Sequence, residues 1–184
     1  MIEKPTPNPA RERTLNEVEL KRLFDACSKC EKFRWLKEIT EIAYYTLCRR
    51  SEIFKLNRKH IDWHNSTALI PDTKTGKPRK IGLHPRVIEI LKSIPRSVSG
   101  NFFHIESLSA FEKSFRSSVK RAKLDDFRFH DLRHTGATDL IEKFGWSTME
   151  LMQQGGWSSQ QMAKRYSNIS PSHLANKMKQ QKLY

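Results

Sequence analysis

The stretch that decides how this chain is interpreted covers residues 130–166. It opens with a predicted helix, His130-Asp131-Leu132-Arg133-His134-Thr135, and closes on Arg165-Tyr166. His130 and Arg133 are three positions apart, so a helix places both side chains on one face. Arg133 offers a permanently charged fork of donors for phosphate oxygens, and His130 carries a proton near neutral pH. Tyr166 is either an ordinary aromatic at a helix end or a nucleophile, and the remainder of the sequence must distinguish the two.

The composition is strongly basic over the 184 residues of the chain. Lysine and arginine number 34 against 20 aspartates and glutamates, which gives a formal net charge of +14. Such an excess indicates a polyanionic partner, nucleic acid or an anionic membrane surface, rather than a particular fold. A basic protein without such a partner is the simpler alternative. The length allows one domain with a hydrophobic core, or at most two small ones.

The three cysteines do not predict a disulfide framework, because Cys27, Cys30 and Cys48 cannot all pair. Cys27 and Cys30 form a CxxC pair, but no second pair stands at zinc-finger spacing. Reduced thiols at a helix end are therefore the favoured interpretation. No apolar run approaches ~20 residues, and the N-terminus has no signal-peptide core. We expect a soluble protein of a reducing compartment such as the cytoplasm, without a membrane segment.

Apolar periodicity predicts a mainly helical chain after a linker at residues 1–13, which hold three prolines without periodicity. Thr14 with Glu17 is predicted to form the capping box of the first helix. A helix over about residues 107–122 is predicted to bury one stripe, formed by Leu108, Phe111, Phe115, Val119 and Ala122. Of the other predicted helices, one starts near Phe33, a short one carries Glu52, one covers residues 85–93, and one follows His130. Three more are predicted from their N-terminal caps. These caps are Ser147 with Glu150, Ser158 with Gln161, and Ser170-Pro171.

The pattern changes to strands between residues 61 and 83. Residues 67–71 and 78–83 are strand-like, and the polar segment between them, which contains Gly76, predicts a hairpin. The predicted fold class is therefore mainly α with a small antiparallel β-sheet (α+β). The hairpin is rich in basic residues, which indicate a solvated face or a DNA contact: Lys74, Lys77, Arg79 and Lys80.

Several of these segments offer side chains suited to phosphate chemistry. Cleaving a DNA strand without a metal requires a nucleophile, neutralisation of a five-coordinate phosphate, and a proton for the leaving oxygen. Arg49 and Arg133 fit the second need, because each guanidinium binds non-bridging oxygens bidentately. Lys74 can supply the proton, and Tyr166 can attack once its pKa is lowered from ~10. Each residue also has an ordinary structural interpretation, and the sequence alone does not show that they converge.

Taken in order, the segments resemble the tyrosine recombinases (phage integrases) over nearly the whole chain after the linker. The first of them is similar to the family's T-G-x-R-x-x-E-I/L box and reads Thr46-Leu47-Cys48-Arg49-Arg50-Ser51-Glu52-Ile53. Residues 130–135 match the H-x-L-R-H-[ST] box, and residues 156–166 are similar to the closing G-H-x-x-x-x-T-x-x-Y box. Trp157 and Tyr166 are nine positions apart, as the family requires. The hairpin around Lys74 resembles the family's catalytic-lysine turn.

The resemblance implies an integrase catalytic-domain fold and a phosphate clamp formed by Arg49 and Arg133. It makes His130 a general base or phosphate contact, and Glu52 the residue that holds the arginines in place. Trp157, at the position of a commoner histidine, is implied to contact phosphate through its indole N–H. Further DNA contacts are expected from five basic residues: Arg50, Lys77, Arg79, Lys80 and Lys164.

The implied reaction centres on Tyr166, which would form a 3′-phosphotyrosyl bond with the cleaved strand. That bond keeps the energy of the phosphodiester, so rejoining would need neither ATP nor a metal cofactor. Lys74 is the implied general acid for the 5′-oxygen, and Lys77 is the alternative because hairpin loops align ambiguously. We expect site-specific recombination of a mobile element, bacterial or phage-encoded, by this chemistry.

Three residues depart from the family's boxes. Leu47 replaces a glycine, which puts the local backbone turn in question. Gly155 stands where a leucine is common. Trp157 replaces histidine and cannot transfer a proton, so acid–base work would fall to His130 and Lys74.

The resemblance implies double-stranded DNA as the partner and a tetramer on DNA in the full-length protein. The catalytic domain is expected at residues 14–166. The tail at 167–184 either packs on a neighbouring subunit or folds back on its own domain. Residues 1–13 are too short for the family's N-terminal core-binding domain, so we expect an excised catalytic domain with weak, strongly salt-dependent DNA binding.

Three other interpretations stay open on the sequence. A type IB topoisomerase uses the same chemistry, although the closing Gly-Trp…Tyr box fits recombinases better. A DNA-binding module without chemistry would have a merely structural Tyr166, but such a protein would be expected to have lost an arginine or the tyrosine. A zinc protein built on Cys27 and Cys30 is the most distant alternative.

Overall fold

A computed structural model of the chain describes residues 13–71 and 78–159, and these ranges form seven α-helices and one small sheet. The helices are α1 (Glu17–Ser28), α2 (Leu36–Thr46), α3 (Arg50–Phe54), α4 (Pro85–Ser93), α5 (Leu108–Arg121), α6 (Asp131–Glu142) and α7 (Thr148–Gly155). The strands are β1 (Ile61–Asp62), β2 (Thr67–Ile70) and β3 (Arg79–Gly82). The predicted fold class, mainly α with a small antiparallel sheet, is confirmed.

The sheet has the order β1-β2-β3 and is antiparallel throughout. In β2 and β3, Ala68 pairs with Ile81, and both side chains are buried, whereas the paired Leu69 and Lys80 point to the exposed face. This alternation is what a half-buried hairpin requires. β1 was not predicted, because its two residues are too few to show a period. The connection at residues 72–77 lies outside the described residues.

The main core is built around Phe111 on α5, whose side chain is fully buried. Its ring centroid lies 5.3 Å from that of Phe33 and 5.1 Å from that of Phe129. Phe115, Val119 and Ala122 are buried on the same stripe, so the prediction that these residues are core is confirmed. The prediction is wrong for Leu108, which is 47% exposed. Leu108 is the first residue of α5 and precedes the turns that pack inward.

The capping box predicted for α1 is wrong by two residues. The N-cap is Asn16, whose side chain accepts from the Glu19 N–H, while the Glu19 carboxylate accepts from the Asn16 N–H. Thr14 and Glu17 fit the same sequence pattern, but Glu17 is already the first helical residue. The box predicted for α7, Ser147 with Glu150, is confirmed. The helices predicted after Ser158 and after Ser170 fall outside the described residues.

Helices α2 and α6 pack closely because α6 carries Gly136 at their crossing. A Cβ at this position would lie 2.2 Å from the Tyr44 carbonyl oxygen and 2.8 Å from Leu47 Cδ2. Glycine is therefore required here by close approach of two backbones. The approach brings the first turn of α6 against the end of α2. Among the described residues, the structure contains no helix with the length and apolar character that a membrane span needs.

Candidate active site

Arg49 and Glu52 are fixed by the start of α3. Arg49 is the N-cap residue, with extended backbone (φ −68°, ψ 151°), and its backbone N–H donates to Glu52 Oε2 at 2.7 Å. The Arg49 guanidinium bonds to the other carboxylate oxygen at 3.1 Å and to the Gly156 carbonyl oxygen at 3.4 Å. The helix turn thus positions the side chain that the resemblance assigns to phosphate. Arg49 keeps 22% of its side chain exposed.

Glu52 is buried yet ionised, because two arginines surround its carboxylate. Arg79 donates to both oxygens, at 2.8 and 2.9 Å. Burial alone would raise the pKa of Glu52, but the hydrogen bonds from Arg79 and from the Arg49 N–H, with both positive charges, hold the pKa below its ordinary value. The Glu52 carboxylate therefore contacts the guanidinium groups of both Arg49 and Arg79.

Arg133 on α6 is 3% exposed and is held from two sides. Its Nη1 donates to the Leu47 carbonyl oxygen at 2.5 Å. Its Cζ atom lies 4.1 Å from the centroid of the Trp157 ring, which is a cation–π distance. The predicted proximity of Arg133 to His130 also holds, since both line the same cleft and His130 is the N-cap residue of α6.

The surroundings of His130 favour the neutral form of its imidazole. Although the residue is exposed at the cleft, protein atoms crowd its imidazole and disfavour the charged form. This desolvation, followed by the positive charge of Arg133, lowers the pKa of His130 below its ordinary value, and Arg49 acts in the same direction. Asp131 opposes the shift without reversing it. A neutral imidazole can accept a proton.

The three residues converge on one cavity of about 550 Å³. Arg49, His130 and Arg133 line it together, although they come from α3 and α6. Sequence reasoning missed two further basic residues of the lining, Arg116 on the outer face of α5 and Arg128 before α6. The available signal for Arg128 was its position two residues before the His130 box. The deeper wall is aromatic: Phe111, Phe115, Phe127 and Phe129.

The three departures from the family's boxes lie in one place, beneath Arg133. Leu47 and Trp157 belong to one buried cluster, together with Ala137, Ile141 and Leu151. Leu47 adopts the left-handed backbone conformation that glycine favours (φ 58°). Its side chain is fully buried, and this burial offsets the cost of the strained backbone.

Gly155 is explained by the same cluster. A Cβ at Gly155 would lie 2.2 Å from Trp157 Cζ3, so the indole occupies the space that a side chain at 155 would need. An indole at 157 and a leucine at 155 exclude each other here. The two departures are therefore one structural change.

Three of the other predicted DNA contacts lie among the described residues. Lys80 is exposed on β3, as expected for a contact residue. Arg50 is partly exposed and forms an ion pair with Glu112 at 2.8 Å. Arg79 points inward and is only 10% exposed, which does not suit a phosphate contact. Four predicted site residues lie outside the described residues: Lys74, Lys77, Lys164 and Tyr166.

Within residues 13–71 and 78–159 there is no cluster of three or more histidine, cysteine or acidic side chains that could hold a metal ion. Cys27 and Cys30 are both free thiols. Burial raises the pKa of Cys27 to about 11, because the thiolate would be desolvated. Nothing in this part of the chain supports the zinc alternative.

Two arginines and a histidine thus line one cleft of a mainly helical domain. The sequence model of the phage integrase family matches residues 13–173. The chain belongs to this family.

Relatives and solved structures agree. The chain is 32% identical over 178 residues to a shufflon-specific DNA recombinase of Escherichia coli, covering 97% of this chain and 46% of the relative. It spans about half the length of the curated relatives it matches. The catalytic domain of bacteriophage HP1 integrase superposes with a TM-score of 0.73 at 26% identity, covering 92% of this chain and 95% of that domain. The Tn1549 transposon integrase in complex with circular intermediate DNA shares the fold, with a TM-score of 0.73 at 17% identity over 93% of this chain and 66% of that one.

Proposed function

We propose that this chain is the catalytic domain of a site-specific DNA recombinase, which cleaves and rejoins DNA strands through a 3′-phosphotyrosyl intermediate. The observation that supports it is the convergence of Arg49, His130 and Arg133 on one cavity. Two fixed guanidinium groups about a cleft suit a phosphodiester, whose negative charge grows in the transition state. The formal net charge of +14 suits a DNA partner, and the Tn1549 integrase of the same fold is a DNA complex.

In this proposal the cleft residues neutralise and orient the scissile phosphate. Arg49 and Arg133 bind the non-bridging oxygens. His130 accepts the proton of the attacking hydroxyl or donates to the phosphate, and its lowered pKa favours the first role. Trp157 supports Arg133 from below, and an indole N–H contact to phosphate is its second proposed role. Glu52 keeps Arg49 in place.

The covalent step is assigned to residues outside the described ranges, on the strength of the family's motifs. The hydroxyl oxygen of Tyr166 attacks phosphorus, the bond from phosphorus to the 5′-oxygen breaks, and Lys74 or Lys77 protonates that oxygen. Reversal of the step by another 5′-hydroxyl rejoins the strand. No nucleotide hydrolysis or metal enters the balance, since one phosphoester replaces another.

We further propose residues 14–166 as the catalytic unit and residues 167–184 as a tail that either packs on a neighbouring subunit or folds back on its own domain. The active assembly would be a tetramer on double-stranded DNA in a bacterial cytoplasm. Lys77, Lys80, Lys164 and Arg50 are proposed DNA contacts. Arg116 and Arg128 join them because both line the cleft.

The test of the proposed function is a covalent adduct on Tyr166. The intact protein is incubated with nicked suicide duplexes that cover both ends of the DNA element carrying its gene. We expect an adduct whose tryptic peptide carries nucleotide on Tyr166, its loss in Tyr166→Phe, and its retention in the matched control Tyr184→Phe. An adduct that persists in Tyr166→Phe contradicts the assignment.

A second substrate identifies the general acid. Replacing the scissile 5′-oxygen by sulfur creates a thiolate leaving group, which departs without protonation because a thiol pKa is only ~8.5. We expect Lys74→Ala to be slow on the oxygen substrate and restored on the sulfur substrate. Lys77→Ala serves as the comparison, and restoration of Lys77→Ala instead would transfer the role to Lys77.

A further inference from the structure

All three guanidinium nitrogens of Arg79 make hydrogen bonds to described residues. Its Nη1 and Nη2 donate to the two oxygens of Glu52 at 2.8 and 2.9 Å. Its Nε donates to the Gln154 carbonyl oxygen at 3.2 Å, and Nη2 lies 3.8 Å from Cys48 Sγ. With only 10% of the side chain exposed, little of Arg79 is left for a contact with a DNA backbone.

Through Glu52, Arg79 acts on Arg49. The same carboxylate that pairs with Arg79 accepts the backbone N–H and one guanidinium N–H of Arg49. A buried carboxylate needs this paired charge, because desolvation opposes its ionised form. Without Arg79, Glu52 is free to turn toward Arg49 or to take up a proton, and either change moves the Arg49 guanidinium.

Arg79 also supports the turn that follows α7. Besides the bond to Gln154, its Cδ and guanidinium atoms lie 3.0 Å from where a Cβ at Gly156 would stand. Gly156 accepts from Arg49 through its carbonyl oxygen and directly precedes Trp157, which stacks on Arg133. One guanidinium therefore contacts the support of both phosphate-binding arginines.

We propose that Arg79 is a positioning residue for strand cleavage, which fixes Glu52 and the 155–157 turn, and that it is not a DNA ligand. This inference rests on the proposed function. The geometry of these contacts explains why arginine is needed at position 79. Only a planar guanidinium can donate to both carboxylate oxygens while its Nε donates to a carbonyl oxygen. Lysine has one nitrogen and can satisfy only part of this set.

The experiment compares Arg79→Gln and Arg79→Lys with the control Lys80→Gln. Lys80 is the next residue, on the exposed face of β3, and its replacement by glutamine removes one positive charge, as Arg79→Gln does. DNA affinity is measured against salt concentration, and the rate of adduct formation is measured at saturating DNA. For Arg79→Gln we expect a cleavage rate roughly a hundredfold lower, as for a small misplacement of reacting groups, with an unchanged salt slope. Arg79→Lys should recover only part of the rate. A salt slope reduced by about one, with normal cleavage at saturation, would make Arg79 a DNA ligand and overturn the proposal.

A double-variant comparison separates positioning from general destabilisation. In an Arg49→Lys background, Arg79→Gln should cost much less than in the wild type, because the group it positions is already altered. Equal losses in both backgrounds would overturn the proposal. If Arg79→Gln does not fold, Arg79→Lys provides the same comparison.

If wild-type protein forms no adduct, the proposed function fails, and the Arg79 assignment is then judged by side-chain NMR. The Arg49 guanidinium resonances should shift and exchange faster with solvent in Arg79→Gln but not in Lys80→Gln. Unchanged Arg49 resonances would overturn the assignment on their own.

Discussion

The mutual exclusion of Gly155 and Trp157 yields a quantitative prediction. Alanine at position 155 would place its Cβ 2.2 Å from Trp157 Cζ3 and 2.5 Å from Cε3, far inside the roughly 3.5–4.0 Å at which carbon atoms attract. The indole has little room to yield, because it is 8% exposed, belongs to a buried cluster and faces the Arg133 guanidinium. Gly155→Ala must therefore distort the cluster.

The magnitude follows from two opposing effects. Overpacking of this kind costs about 1–3 kcal/mol, and alanine in a helix gains up to about 1 kcal/mol over glycine. We expect a net loss of about 1–2 kcal/mol in the free energy of unfolding. Trp157→Ala alone should cost about 3–5 kcal/mol, as removal of a buried aromatic does. With the indole gone, Gly155→Ala should be neutral or slightly stabilising.

Urea unfolding of the two single variants, the double variant and the wild type measures this coupling as a double-mutant cycle. Gly82→Ala is the matched control, since a Cβ there meets only Gln154 Oε1, at an ordinary 3.8 Å. It should change stability by less than about 0.5 kcal/mol. A Gly155→Ala loss of equal size with and without Trp157 would refute the reasoning.

Three further predictions concern charge. The pKa of His130, measured by NMR titration, should lie below 6.5 and should rise in Arg133→Gln, because the arginine charge contributes to the depression; an unchanged pKa would contradict this. The folded state lowers the pKa of Glu52, so the stability that this carboxylate contributes is present above its ordinary pKa of 4.5 and is lost as pH falls through the folded pKa. Glu52→Gln should therefore be less stable than the wild type at pH 7, and its stability should fall less steeply at acid pH. Parallel curves of stability against pH for the two proteins would count against the ion pair. DNA affinity should fall roughly a hundredfold between 50 and 200 mM salt if about four phosphates are contacted, and salt-independent binding would argue against a phosphate-dominated interface.

Local patterns in the sequence determined most elements of the fold. The Ser147–Glu150 box, the proline-led helix at 85–93 and the alternating hairpin strands each depend on neighbours within a few positions, and the structure contains all three. The family boxes around Arg49 and His130 are equally local, because each motif lies within one short segment. Local signals fail where a pattern fits twice, as it does for Thr14 and Asn16.

Tertiary packing alone decided how the site is held together. Arg133 bonds to a carbonyl 86 positions away, and Arg79 pairs with a carboxylate 27 positions away. No propensity or period relates such residues, since their separation is set by how α2, α6, α7 and β3 pack. For the same reason the hairpin's basic run concealed that Arg79 turns inward while Lys80 stays exposed. Nor does the sequence show that Leu47, Gly155 and Trp157 lie together beneath Arg133. These three departures are scattered along the chain, and the volume that they share exists only in the folded structure.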